Sequence, residues 1–175
     1  DYLCIWNVDD LRTPDSIEVM AKALDDNPDI DFVYGNYYIV PQFGLTQGQY
    51  VDETGREDEL TTGMILGPFF MFRKSIIEKT GVFDEQLVSG ADYDLALRLA
   101  FNGKGLHLPI TLGYYLDEGL GASTNPNSKQ PIERTVIEMR YNIRILEPQL
   151  MPHTKEYNIE NIIVDEEKIP VSNLR

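Results

Sequence analysis

The chain has 175 residues, 42% hydrophobic and 25% charged, with a net charge of −14. That is enough for one domain with a real core and an ordinary soluble composition, but the charge excludes wrapping nucleic acid or lying on anionic lipid without a bridging cation. The single cysteine, Cys4, cannot form an internal disulfide. No apolar run reaches the roughly 18 residues of a membrane span and no signal peptide is visible, so a cytoplasmic, reducing setting is expected.

Residues 2–8 (YLCIWNV) read as a short buried strand, with Trp6 and Cys4 in the core. Thr13 then Pro14 reads as a helix start, Thr as N-cap and Pro at the first helical position, with Ile17, Met20, Ala21 and Leu24 as the buried face. Pro28 ends that helix. Residues 30–41 form the next strand, 42–62 a hairpin and then a mobile acidic loop. The apolar run 63–72 is broken by Gly67-Pro68, which suits a turn beneath a binding site. A short helix follows, closed by Gly81, and a longer one runs from Ala91 to Asn102, closed by Gly103. GLHLPITLGYYL carries one or two strands, 119–130 a loop, and 131–147 a helix opened by Pro131; the remainder is charged and irregular. Strands alternating with helices make the chain α/β.

Two acidic clusters stand out. The first strand ends on Asn7-Val8-Asp9-Asp10. Acids at the carboxyl end of a strand in an open α/β sheet lie where such sheets bind ligands. Their hard oxygen atoms suit Mg²⁺ or Mn²⁺, ions that share their shell with substrate phosphates. A solvated turn is the plainer alternative. In the second cluster, SGADYDLALRLA, Ser89 with Asp92 reads as a capping box, while an acid on the first turn of a helix facing a cleft also suits a general base. Asp94 and Arg98 have the spacing of a helical ion pair. His107 reads as a strand residue.

Taken together, WNVDDLRTPDSIEVMAKALDDNPDIDFVYGN, GPFFMFRKSIIEKTGVFDEQL and SGADYDLALRLAFNGKGLHLP resemble, in that order, the latter half of family 2 inverting glycosyltransferases of the GT-A fold, over residues 1 to about 125. The resemblance implies a mixed sheet flanked by helices, with 126–175 as a C-terminal helix and tail. It implies a nucleotide-diphosphate sugar donor, a saccharide or other hydroxyl acceptor, and Mn²⁺ or Mg²⁺. Asn7, Asp9 and Asp10 stand at the family's acidic cofactor-binding motif, Asn7 departing from the usual Asp, with Asp9 and then Asp10 as metal ligands. Asp92 matches the catalytic base, Ala91 replacing its usual acidic neighbour; the loss of that like charge predicts an Asp92 that ionises more readily than in a paired site. Gly67, Pro68, Phe69 and Asp94 fall at the substrate. The family often completes the metal site with a His after the last strand; here only Asp117 or Glu118 stand there.

The family's nucleotide-binding strands precede the region matched, and the chain enters a strand directly at Asp1, so a piece of a longer transferase, with little activity alone, is expected. An uncovered sheet edge would favour pairing with another copy. The rival reading is a non-catalytic acidic domain that binds protein or divalent ions, fed by Asn7 and Ala91. Asp9 and Asp92 converging on one cleft would favour the enzyme.

Overall fold

The computed structural model describes residues 1–54, 63–121 and 126–141, together with the backbone of two strands near the C-terminus. Six strands form one mixed sheet: β1 (Tyr2–Cys4), β2 (Leu11–Arg12), β3 (Phe32–Val40), β4 (Gln49–Val51), β5 (Phe70–Arg73) and β6 (Gly105–Leu116). Their order is β1-β5-β3-β6-β2, and β4 continues along β3 where β5 leaves it. β3 and β6 run parallel over their whole length, and the other pairings are antiparallel. The helices are α1 (Ser16–Asp26), α2 (Ile77–Thr80, entered through a 3₁₀ turn at Lys74–Ile76), α3 (Ala91–Asn102) and α4 (Gln130–Arg140). Strands β7 (Asn161–Val164) and β8 (Glu167–Pro170) pair antiparallel as a separate hairpin, in a stretch expected to be irregular.

Alternation along the strands sends side chains to two cores. Val33, Met71, Phe69 and Leu112 pack against Met20 and Leu24 of α1 on one face. Phe32, Tyr34, Phe70 and Phe72 pack against Leu95, Ala96, Leu97 and Leu99 of α3, with Ile137 of α4, on the other. α4 therefore shares the α3-side core.

Several boundaries differ from expectation. The first strand stops at Cys4, so Trp6 is 59% exposed instead of buried. Its indole lies over the Arg12 guanidinium at 5.5 Å and its Nε1 donates to the Asp10 carbonyl. α1 begins at Ser16, beyond Pro14, with Asp15 as N-cap; Thr13 spends its backbone N–H on the Leu112 carbonyl, and its own carbonyl accepts from Ser16. Ser16 is buried while Ile17 faces out. The α1 carboxyl end is held by Arg73 of β5, which donates to the carbonyls of Leu24, Asn27 and Ile30. α3 and its Gly103 terminus match the sequence reading. GLHLPITLGYYL is one twelve-residue strand, with Pro109 at a break in register against β3, where a missing amide is tolerated. The hairpin expected after residue 42 forms through β4; residues 55–62 and 142–147 lie outside the described residues.

That break in register matters for the site. Between Gly35 and Tyr37 the pairing slips, and the strands approach so closely that a Cβ on Gly35 would lie 2.8 Å from the Leu108 carbonyl oxygen. After the slip Tyr38 pairs with Tyr114, side chains on the α3 face.

Candidate active site

The parallel pair β3/β6 defines a carboxyl end, and the turn that carries Asn7, Asp9 and Asp10 is tied to it. Asp10 is buried, and its Oδ1 accepts the backbone N–H of Leu116, the last residue of β6, at 3.1 Å. Asp10 Oδ2 accepts Asn7 Nδ2 at 2.9 Å, and the Asp10 N–H donates to the Asn7 carbonyl. These bonds tie the turn between β1 and β2 onto the end of β6, leaving Val8 fully exposed and Asp9 open to solvent at the tip.

α3 reaches the same end from the other direction. It ends at Asn102, and the connection to Gly105 lies beside Phe32, the first residue of β3, whose N–H donates to the Lys104 carbonyl. The helix thus runs opposite to β3 and β6. Its twelve residues rise about 18 Å, whereas nine-residue β3 extends nearly 30 Å. The last residues of β3 therefore outrun the helix, and Asp92, on its first turn, lies over their approach. Ile5, which leads into the acidic turn, packs on the core beneath α3 with Tyr93 and Leu66. The segments that carry Asp9 and Asp92 thus share the α3-side core, through Ile5 and Tyr93.

Asp92 does not sit in a capping box. Gly90 is the N-cap, without a side-chain bond, and Asp92 Oδ1 accepts the N–H of Tyr93 at 2.8 Å. The start of α3 is capped from α4. The buried Glu133 carboxylate accepts the backbone N–H groups of Val88 (2.9 Å), Ser89 (2.7 Å) and Gly90 (2.8 Å). Although the Asp92 side chain meets solvent, the protein around it pushes its pKa up, chiefly by desolvation; the Tyr93 N–H opposes the rise and the Glu133 charge adds to it. The negative neighbour that Ala91 fails to supply comes from Glu133, 41 residues further along the chain.

Four residues were expected at the substrate: Asp94 and Phe69 are buried in the protein, and Gly67-Pro68 forms the expected turn. Asp94 is fully buried: one oxygen faces Arg98 at 2.6 Å, the other accepts from Arg140 (2.9 Å) and Tyr141 (3.0 Å). This network joins α3 to α4 and leaves Asp94 no open side for substrate. Arg140 also pairs with Asp84 at 2.8 Å. Phe69 is core, 1% exposed, with Arg12 over its ring at 5.1 Å and Tyr37 against its edge. Gly67 holds φ +61°, and a Cβ there would meet the Tyr37 ring at 2.6 Å, so Gly67-Pro68 is a tight turn into β5.

Asp10, expected as the second metal ligand, gives both oxygens to protein donors, and burial raises its pKa. Its part is to hold the turn. Among the described residues no group of three or more His, Cys, Asp or Glu side chains is arranged to hold a metal. Of the two acids expected to bind a metal, Asp9 is the one exposed to solvent. Asp117 follows β6 and lies at this end, its Oδ1 accepting the Gly119 N–H.

Sequence reasoning missed a polar group on the α3 face of β3. Asn36 Oδ1 takes His107 Nε2 at 2.8 Å and the Glu53 N–H at 3.0 Å, and Asn36 Nδ2 donates to the Tyr50 hydroxyl at 2.8 Å. Nothing in local sequence links these residues; β3, β4 and β6 bring them together. A cleft of about 540 Å³, lined by Asp1, Arg73, Lys74, Ser75, Ile77 and Glu78, lies at the opposite end of the sheet, away from both acidic clusters.

The fold and the acid-bearing carboxyl end define an α/β protein with a GT-A-like sheet. Comparison with known proteins agrees. S. aureus TarS (1–349) superposes with a TM-score of 0.51 at 17% identity, over 90% of this chain and 53% of that one. An uncharacterized glycosyltransferase of Methanocaldococcus jannaschii is 26% identical over 106 residues, 58% of this chain and 36% of that protein. Chondroitin synthase and hyaluronan synthase of Pasteurella multocida are each 32% identical over 108 residues, 61% of this chain but 11% of each synthase. No family model matches. The chain is a relative of glycosyltransferases, spanning a minor part of the curated relatives it matches. Among the described residues no helix is long and apolar enough to cross a membrane.

Proposed function

We propose that the chain carries the metal-side and acceptor-side elements of an inverting glycosyltransferase that moves a sugar from a nucleotide-diphosphate donor to an acceptor hydroxyl. The observation that carries this reading is the Asp9 turn tied by Asp10 to the last residue of β6, with Asp92 on the first turn of a helix that runs opposite to β3 and β6, in a chain whose relatives are glycosyltransferases.

Asp92 is the base. It takes the proton from the acceptor hydroxyl as that oxygen attacks the anomeric carbon from the face opposite the diphosphate, and the donor's glycosidic C–O bond breaks with inversion. A raised pKa brings a carboxylate closer to the working pH, which favours proton transfer. Asp9 would hold Mn²⁺ or Mg²⁺, and the ion would supply positive charge to offset that of the diphosphate. Asp10 and Asn7 fix the turn that presents Asp9, and Glu133 fixes the loop that presents Asp92. The lone Cys4 thiol suits a cytoplasmic enzyme.

The test is calorimetric titration of Mn²⁺ with and without UDP or GDP, on this chain and on Asp9→Ala, followed by transfer assays on the full-length protein and its Asp92→Asn variant. The expected result is nucleotide-enhanced Mn²⁺ binding that Asp9→Ala abolishes, and an Asp92→Asn enzyme that binds donor but transfers no sugar. Metal binding by a full-length protein without transfer would favour a non-catalytic domain instead.

A further inference from the structure

Three tyrosines stand side by side across three strands beyond the end of α3. Tyr38 of β3 pairs in register with Tyr50 of β4 on one side and Tyr114 of β6 on the other. Their ring centroids are 5.1 Å and 6.0 Å apart. The Tyr50 hydroxyl accepts from Asn36, which fixes the row on the α3 face. Tyr114 also pairs with Leu11, two residues after Asp9, so the row's far end adjoins the acidic turn. Tyr50 is 46% exposed and the other two are half-buried. Among the described residues nothing hydrogen-bonds the Tyr38 or Tyr114 hydroxyl.

Tyrosine at a surface is ordinarily scattered, and each ring joins an apolar body to a polar tip. Here three such groups form a strip, flanked by the amide of Asn36, the imidazole of His107 and the carboxylate of Asp52. A ligand matching that strip alternates apolar C–H surface with hydroxyls along its length, and pyranose rings have that chemistry. The acids of this end, Asp9, Asp52 and Asp117, in a chain of net charge −14, disfavour a polyanion. We propose, building on the transferase reading, that Tyr50, Tyr38 and Tyr114 form the platform for a neutral saccharide acceptor, whose terminal hydroxyl it directs toward Asp92.

The test needs neither donor nor metal. The chain, labelled with carbon-13 at its tyrosines, is titrated with cellobiose and with diacetylchitobiose up to tens of millimolar, and ring shifts are followed by NMR. Saturable shifts at these three tyrosines are expected. Tyr50→Ala should weaken binding about tenfold, while Tyr38→Phe and Tyr114→Phe, which keep the packing and remove a hydroxyl, should weaken it about threefold each. No saturable shift at these rings, or affinity unchanged in all three tyrosine variants, overturns the platform. Saccharide binding at these rings with no nucleotide-enhanced Mn²⁺ binding in the full-length protein would sink the transferase reading and with it the acceptor role of the row; the reverse pattern would sink the platform alone.

Discussion

Glu133→Ala is expected to loosen the loop that presents Asp92. The Glu133 carboxylate is buried and collects three backbone N–H groups, all within 3.0 Å. Truncation leaves three amides without an acceptor. Val88 lies at the surface, so its amide regains water, while that of buried Gly90 does not. At about 1–3 kcal/mol for a donor left buried and little for one rehydrated, the loss comes to about 2–4 kcal/mol. Removing a carboxylate from the start of α3 adds about 0.3–1 kcal/mol within that range. Glu133→Gln keeps the shape and one acceptor oxygen, and should cost about half as much. The assay is urea unfolding at neutral pH, followed by circular dichroism. The carboxyl carbon shift of Asp92 gives a second readout: in Glu133→Gln its midpoint should fall toward the ordinary Asp range, since one cause of its rise is gone. A Glu133→Ala chain within about 0.5 kcal/mol of the parent would refute the reasoning.

Asp94→Ala should be the more severe change, about 3–5 kcal/mol in the same assay, because Arg98 and Arg140 are left partly buried without their shared carboxylate. The Asp92 pKa is raised in the fold, so the charge of Asp92 costs stability: the neutral carboxyl's contribution is present below the unfolded value and is lost as pH rises through the folded one. Asp92→Asn should therefore raise the thermal midpoint at neutral pH while abolishing transfer. The Tyr141 phenol, desolvated and set against Asp94, is pushed up to about 12. The stability it contributes is full below the unfolded value near 10 and is lost as pH rises through the folded one, so the chain should weaken over that alkaline window, and Tyr141→Phe should flatten the loss.

Local pattern carried much of the fold. The α3 boundaries followed from apolar residues at helical spacing and Gly103 after the last turn. β3 followed from its β-branched and aromatic run, and the α2 terminus from Gly81 at φ +66°. Where local signals competed, tertiary contacts decided. Thr13 and Pro14 have the composition of a helix start, but the Thr13 N–H bonds to the Leu112 carbonyl of β6, which holds the chain extended and delays α1. Trp6 lies in an apolar run, yet the strand ends early because Asp10 is drawn onto the end of β6, and the indole covers Arg12 instead.

The candidate site divides the same way. That Asp9 and Asp92 stand at the ends of elements was legible, since each lies in a short motif there. Which acids remain open was not: Asp10 and Asp94 look as available as their neighbours until Leu116, Arg98, Arg140 and Tyr141 reach them from elsewhere in the chain. The tyrosine row and the Glu133 cap were invisible because each depends on the register between strands or helices dozens of residues apart. Sequence by itself determined the elements and the acids at their ends, because propensity, periodicity and capping act within a few residues. Tertiary structure alone decided which of those acids face solvent and what shifts their pKa, because burial and Coulomb interaction depend on distance in space.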